Sequence, residues 1–432
     1  MTEIAQLNND ALKALQQRAR EQFEAFRGRG LSLNMARGKP SPEQLDMVQS
    51  VFDRRVGAVG HVARDGTDCR NYGGLQGLPE IRELFSGVMG AQPQNIIAGD
   101  NSSLALMHDT VTYALLKGTA DSERPWGRGS TVKFLCPSPG YDRHFAICES
   151  YGIDMIPVAM DDNGPDMDQV ESLLAEDASI KAIWCVPKYS NPTGAVYTDE
   201  VVERFARMRT AAKDFRIFWD NAYAVHHLTQ ERAEIANILD ACAKAGNPNR
   251  AFVFGSTSKI TFAGAGVSLL ASSPDNVRWL LSCMERRTIG PDKLNHLRHV
   301  ALLDSEEGLH ELMGEHRRII APKFEVVLSA FDHLLAEPRA AVWTKPKGGY
   351  FISLDTPPGG ARRAVALAKE AGIVMTPAGA SYPLGKDPED RNIRIAPTFP
   401  SLEEVREAAE GIALSVLLAV TEGELANRGI SA

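Results

Sequence analysis

Three short apolar runs in the middle of the chain each end in residues able to do chemistry. Ile180 to Val186 leads into Pro187-Lys-Tyr-Ser-Asn191-Pro192-Thr-Gly194, Phe215 to Trp219 into Asp220-Asn-Ala-Tyr223, and Ala251 to Phe254 into Gly255-Ser256-Thr257-Ser258-Lys259. Asp100-Asn-Ser102-Ser103 stands before the helical pattern Leu104-Ala-Leu-Met107. In an open parallel sheet, ligands bind beyond the carboxyl ends of the strands, so these tails are directed to one edge. A helix N-terminus at Ser102 and Ser103 offers free backbone N–H groups to an anion, worth ~0.3–2 kcal/mol from the helix dipole alone. Singly, each feature has an ordinary reading. Ser102 and Ser103 can cap a helix, Asp220 a turn, and a lone lysine is commonly solvated, while Asn-Pro-Thr-Gly is turn chemistry.

The elements that must position them have a clear rhythm. Apolar runs at Thr131 to Cys136, Ile180 to Val186, Phe215 to Trp219, Ala251 to Phe254 and Val267 to Ala271 alternate with helical stretches such as Asp199 to Lys213 and Arg232 to Ala245. Continuous apolar strands separated by helices predict an α/β fold, its mostly parallel sheet covered on both faces. Ahead of it, Leu12, Leu15, Ala19, Phe23 and Phe26 recur at helical spacing up to Gly28. Behind it lie a long helical region from Leu309 to Leu335 with a kink expected at Pro322, a strand pair (Ala341 to Trp343, Tyr350 to Leu354), and helices at Arg362 to Ala371 and Leu402 to Val420. The expected organisation is an N-terminal segment (1–45) packing with a small α+β domain (306–432), around a large domain (46–305).

Composition narrows the class. With 432 residues, 47 Lys plus Arg and 55 Asp plus Glu, the chain carries a formal charge of −8, which argues against a broad nucleic-acid or anionic-membrane footprint. The six cysteines are scattered without a C-x-x-C pair, pointing to a reducing, cytoplasmic setting and away from disulfide or zinc frameworks; no metal is expected. The start Met1-Thr-Glu-Ile-Ala-Gln6 reads as no secretory signal, and the apolar stretch from Gly411 to Val420 is too short to span a membrane. The strand-end residues together meet the needs of one cofactor. Pyridoxal phosphate requires a lysine for its aldehyde, a carboxylate against its pyridinium nitrogen and an anion site for its phosphate.

From about Ala36 to Arg394 the chain resembles a fold-type I pyridoxal-phosphate aminotransferase of the aspartate aminotransferase class. The resemblance is carried by Ala36-Arg-Gly38-Lys-Pro40, Tyr72 through Gly77 to Arg82, Pro187 to Gly194, Asp220-x-Ala-Tyr223, Ser256-x-Ser-Lys259, Lys347-Gly-Gly-Tyr-Phe351 and Arg394-Ile-Ala. Gly99 to Leu104, Ser256 to Gly266 and Thr288 to Leu294 are similar to the bacterial subgroup called type Ic. The resemblance implies a large domain with a mostly parallel seven-stranded sheet and a smaller α+β domain.

It also implies roles. Lys259 would be the Schiff-base lysine and proton shuttle, Asp220 the partner of the pyridinium nitrogen, and Asn191 and Tyr223 the partners of the cofactor's phenolic oxygen. Tyr141, in Pro137-Ser-Pro-Gly-Tyr141, would stack on the ring. Ser102, Ser103, Ser256 and Ser258 would hold the phosphate, joined by Tyr72 from a neighbouring subunit in a homodimer with shared active sites. Arg394 would clamp the substrate α-carboxylate, Gly38 would lie against the substrate, and Arg37 and Lys39 are candidates for its side-chain carboxylate. One departure stands out: where the family usually has an arginine for the phosphate, this chain has Val267, and Lys293 or Arg298 of the partner chain is the expected substitute. The leading expectation is transfer between L-aspartate and 2-oxoglutarate. Alanine, 2-aminoadipate or an aromatic amino acid remain as alternative donors. An aminotransferase-like transcriptional regulator is a further alternative, although only one helix precedes Gly38 where a winged helix would be needed.

Overall fold

The computed structural model describes residues 3–57, 59–129, 131–337 and 339–430. Its main sheet has seven strands in the spatial order Ile96–Ala98, Ser268–Ala271, Ala251–Ser256, Arg216–Asp220, Ile180–Cys185, Lys133–Ser138 and Asp154–Asp161, with the two-residue strand Gly164–Pro165 adding an eighth at the far edge. Pairing is parallel through the middle of the sheet, while Ser268–Ala271 runs antiparallel to both of its neighbours. Every residue of Arg216–Asp220 is buried, because helices cover both faces. The expected runs shift by a residue or two at their ends. Asp154–Asp161 was not among the expected runs although Met155 to Met160 is apolar between acidic ends: it lies near the edge, is largely exposed or half-buried, and tolerates Pro157, which has no N–H to donate.

Two helices are shorter than their sequence pattern, for reasons visible in their caps. The helix expected from Asp199 to Lys213 stops at Arg207, where buried Arg250 donates to the carbonyls of Ala206 (2.8 Å) and Met208 (2.9 Å) and satisfies the helix end. The one expected from Arg232 begins at Ile238, because the Asn237 side chain accepts from the N–H groups of Leu239 and Asp240.

The remaining elements gather around a second apolar cluster. Helix Asn9–Arg27 packs Leu12, Phe23 and Phe26 among Ile412, Val416 and Leu418 of helix Leu402–Asn427, and Leu33–Asn34 pairs in parallel with Ile373–Val374. A three-stranded antiparallel sheet joins Val342–Trp343, Ile352–Asp355 and Asn392–Ile395. Helix Glu306–Leu334 continues through Pro322 as one element. Its Leu309, Leu312 and Met313 join the cluster under the main sheet, while Ile320, Phe324, Val327 and Phe331 join the second. All six cysteines are buried and unpaired. Among the described residues no helix is long and apolar enough to cross a membrane.

Gly411 decides how closely the chain's two ends approach. A Cβ there would collide with the Phe26 ring and the Ile373 side chain. Gly411→Ala is therefore expected to lower stability by about 1–3 kcal/mol despite alanine's better helix propensity, read from urea denaturation; a gain in stability would show that these ends are not close-packed.

Candidate active site

Asp220 ends a central strand and is buried. Its Oδ2 accepts from Nε2 of His144 at 3.0 Å, while its Oδ1 is buried with no protein partner. His144 is itself fixed, its ring stacked on Trp184 (centroids 4.4 Å apart, planes 11° apart) and edge-on to Tyr141 at 4.9 Å. Burial, with the nearby Asp220 charge, pushes the Tyr141 phenol up to about 12. A buried anionic oxygen left without a donor fits the protonated nitrogen of a pyridinium ring.

Lys259 shares this chamber. Its Nζ lies 5.0 Å from the Tyr223 ring centroid and 6.0 Å from that of Tyr350. Burial lowers its pKa against an opposing pull from Asp220, and burial likewise raises the Tyr223 phenol well above its ordinary value. Neutral imidazoles and a phenol pin the lysine's own loop. His226 Nε2 and Tyr350 OH each lie 3.3 Å from the Lys259 carbonyl, and His316 Nε2 lies 2.8 Å from that of Ile260. His299 holds Asn295 O through Nδ1 (2.9 Å) and Thr261 Oγ1 through Nε2 (2.8 Å). Burial lowers the pKa of all three histidines, His299 to about 4.

The anion end of the site is a small cluster of hydroxyls and amides. Ser102 caps helix Ser103–Lys117, its Oγ accepting from Ala105 N at 3.2 Å. Ser256 Oγ donates to Ser258 Oγ at 3.2 Å, and Ser258 Oγ to the Asn101 carbonyl at 3.4 Å, which ties both serines to that helix start. Val267 is fully buried, its N–H held by Thr257 Oγ1 at 2.9 Å. The buried ammonium of Lys293 donates to the carbonyls of Asn71 (2.9 Å) and Gly73 (2.7 Å), and so holds the loop that presents Tyr72. Tyr72 is 82% exposed, and Arg298 is exposed as well.

At the opposite end Arg394, on the antiparallel sheet, is buried. Its Nη1 donates to Asp142 Oδ1 at 2.7 Å and Asn191 Oδ1 at 3.3 Å, its Nη2 lies 3.5 Å from Thr376 Oγ1, and its Nε is buried without a partner. The guanidinium sits 5.1 Å from the Phe351 ring centroid. Gly38 lies against the same ring: a Cβ there would come within 2.5 Å of Phe351 Cζ. Arg37 and Lys39 are exposed, and the Lys39 ammonium stands 3.8 Å over the Phe399 ring.

The structure thus brings Asp220, Lys259, Tyr223, Asn191, Tyr141 and Arg394 to one region and gathers Ser102, Ser103, Ser256 and Ser258 at one helix start. Sequence reasoning missed His144, Asp142, His226 and Phe351. A helix beginning at Asp142, directly behind the Tyr141 turn, was the available signal for the first two.

The buried histidines generate a pH dependence. His299 stays neutral in the folded protein down to about pH 4, while the unfolded chain takes up the proton near 6.5. Its contribution is fully present above pH 6.5 and is lost as pH falls towards 4, amounting to roughly 3 kcal/mol. Urea denaturation at stepped pH should show stability falling across this window. His299→Gln should flatten the fall by about that amount; parallel curves for the two proteins would contradict the assignment.

The family model described as aspartate amino-transferase matches residues 7–428. A protein of Mycolicibacterium smegmatis is 53% identical over 423 residues, covering 98% of this chain and 99% of its own length. The aspartate aminotransferase of Corynebacterium glutamicum is 48% identical over 403 residues, or 93% of each chain. The crystal structure of an aspartate transaminase from Corynebacterium glutamicum superposes with a TM-score of 0.95 at 45% identity, covering 98% of this chain and 99% of that one. Matched along nearly its whole length in sequence and in fold, the chain belongs to the aspartate amino-transferase family.

Proposed function

We propose that the protein transfers an amino group between L-aspartate and 2-oxoglutarate, giving oxaloacetate and L-glutamate, with pyridoxal 5'-phosphate held at the strand-end site. The observation that carries this reading is the buried, unpartnered Oδ1 of Asp220 beside a buried lysine. When bound, pyridoxal phosphate supplies an aldehyde that condenses with amines and an electron-withdrawing ring.

The protein's own residues do the rest. Asp220, oriented by His144, keeps a proton on the ring nitrogen, since an opposite charge within hydrogen-bonding reach favours the charged form. Burial favours the neutral amine of Lys259, so Nζ can take the proton from the substrate α-carbon and return it. Asn191 and Tyr223 hold the phenolic oxygen, and Tyr141 covers the ring. Ser102 and Ser103 bind the phosphate through the helix start, with hydroxyls from Ser256 and Ser258. Arg394 binds the α-carboxylate with its planar fork. Of the two cations beside Gly38, Arg37 makes no ion pair among the described residues and serves the side-chain carboxylate, with Lys39 beside it. The exposure of Tyr72 supports a homodimer in which that residue completes the neighbour's phosphate site. The large unit, the small unit and the N-terminal segment that closes on it divide this work between them, in a protein of the reducing cytoplasm.

Purified protein should show cofactor absorbance that Lys259→Ala removes along with activity, and Asp220→Asn should lower kcat at least about a hundredfold. In a panel of aspartate, alanine, 2-aminoadipate and phenylalanine with 2-oxoglutarate, aspartate should react fastest. Arg37→Ala should raise KM for aspartate about tenfold while leaving alanine unaffected. Faster turnover of another donor would overturn the substrate assignment and leave the amino-group transfer standing.

A further inference from the structure

Arg394 is the most buried cation at the substrate end of the site, and its strongest partner belongs to the protein itself. Asp142 Oδ1 accepts from Nη1 at 2.7 Å. The two partners are unequal: the arginine side chain is 7% exposed and the aspartate 35%, so Asp142 is the member with a path to water. Asp142 is also the first residue of helix Asp142–Tyr151, directly after Tyr141 and two residues before His144. Its backbone is therefore fixed, and only side-chain rotation can break the pair. The other contacts of Arg394 are weaker: Asn191 at 3.3 Å, Thr376 at 3.5 Å, and nothing at Nε.

We infer that Asp142 is a competing carboxylate. It neutralises Arg394 between turnovers and must swing away when the α-carboxylate of an amino or oxo acid arrives. Two carboxylates on one buried guanidinium would leave the site with net negative charge, which a low-dielectric environment penalises. Displacement of the exposed partner removes that penalty at the expense of one ion pair. The consequence is deliberately moderate affinity. Amino-group exchange needs the first oxo acid to leave before the second binds the same arginine, and an internal carboxylate that returns to Arg394 speeds that departure. Asp142 is thus a positioning and affinity-setting residue, outside the proton-transfer steps.

This inference rests on Arg394 being the carboxylate clamp, and the test separates the two. Binding of succinate, a C4 dicarboxylate without an amino group, is measured by calorimetry on the cofactor-loaded enzyme. Asp142→Asn and Asp142→Ser should each bind succinate about tenfold more tightly than wild type. They should show a matching fall in KM for aspartate with no rise in kcat, and inhibition by chloride at concentrations that leave wild type unaffected. Succinate should raise the melting temperature of the variants more than that of wild type. Unchanged or weaker succinate binding in both variants, with only a lowered melting temperature, would reduce Asp142 to a structural counter-ion and overturn the inference. Arg394→Gln should abolish succinate binding; if it binds like wild type, the clamp itself is wrong, whatever the Asp142 variants do.

Discussion

An ionised carboxylate inside an apolar sheet costs several kcal/mol unless it is paired, and the arrangement around Asp220 answers that cost on one side only. Oδ2 is satisfied by His144, and that imidazole has no freedom to leave. It is sandwiched by Trp184 on the neighbouring strand and Tyr141 at the helix start, while the Trp184 indole N–H is held by Cys148 Sγ at 3.3 Å. Two strands and one helix are therefore locked to a single side-chain orientation. Oδ1 is buried with no protein partner, and such an oxygen at a strand end fits a cationic nitrogen.

The lysine facing that carboxylate is held by its main chain rather than by its amine. Tyr350 and His226 meet its carbonyl, and Gln44 binds both Tyr350 OH (3.2 Å) and His316 Nδ1 (2.7 Å). Gln44 belongs to helix Pro42–Val56, His316 to helix Glu306–Leu334, and Tyr350 leads into the antiparallel sheet. Three separate parts of the chain thus converge on the loop that carries Lys259, and its Nζ keeps free movement at the end of a fixed stem. The same imidazoles that give this rigidity make it sensitive to acid: His316 accepts from Gln44 and His299 from Thr261, bonds that need an uncharged ring, and burial opposes charging all three, His226 included.

How much of this was legible depended on where the signal lay. Asn191, Asp220 and Lys259 each follow a continuous apolar run, and such runs mark buried parallel strands whose carboxyl ends face ligands. Arg394 had no such marker. Its strand, Asn392–Ile395, is four residues long and alternates polar with apolar, so it was placed by family resemblance alone. For His144 and Asp142 the helix start behind Tyr141 was the signal, but a sequence does not show which neighbours a helix start will meet. At Gly38 the need for close approach was legible, whereas the Phe351 ring that would meet a Cβ there was not. At Lys293, where a role toward the partner's phosphate was expected, sequence position could not show the two carbonyls, of Asn71 and Gly73, that hold its ammonium.

That ring explains why the two ends of the chain must fold together. Phe351 is held between Gly38 on one side and the Arg394 guanidinium on another, so the position of the arginine depends on how closely residues 36–39 approach. Those residues are fixed from the C-terminal part: Thr376 Oγ1 donates to Ala36 O at 2.6 Å, and Thr398 Oγ1 to Lys39 O at 3.0 Å. Leu33–Asn34 is meanwhile paired with Ile373–Val374, and the helix before it is packed on Leu402–Asn427. Thr376 closes the circuit, since the hydroxyl that holds Ala36 also faces Arg394 Nη2. A side chain at position 38 would press on Phe351 and, through it, on the arginine. The N-terminal segment is therefore packed against the arginine's own neighbour, and its seat on Leu402–Asn427 and Ile373–Val374 helps to hold residues 36–39 in place.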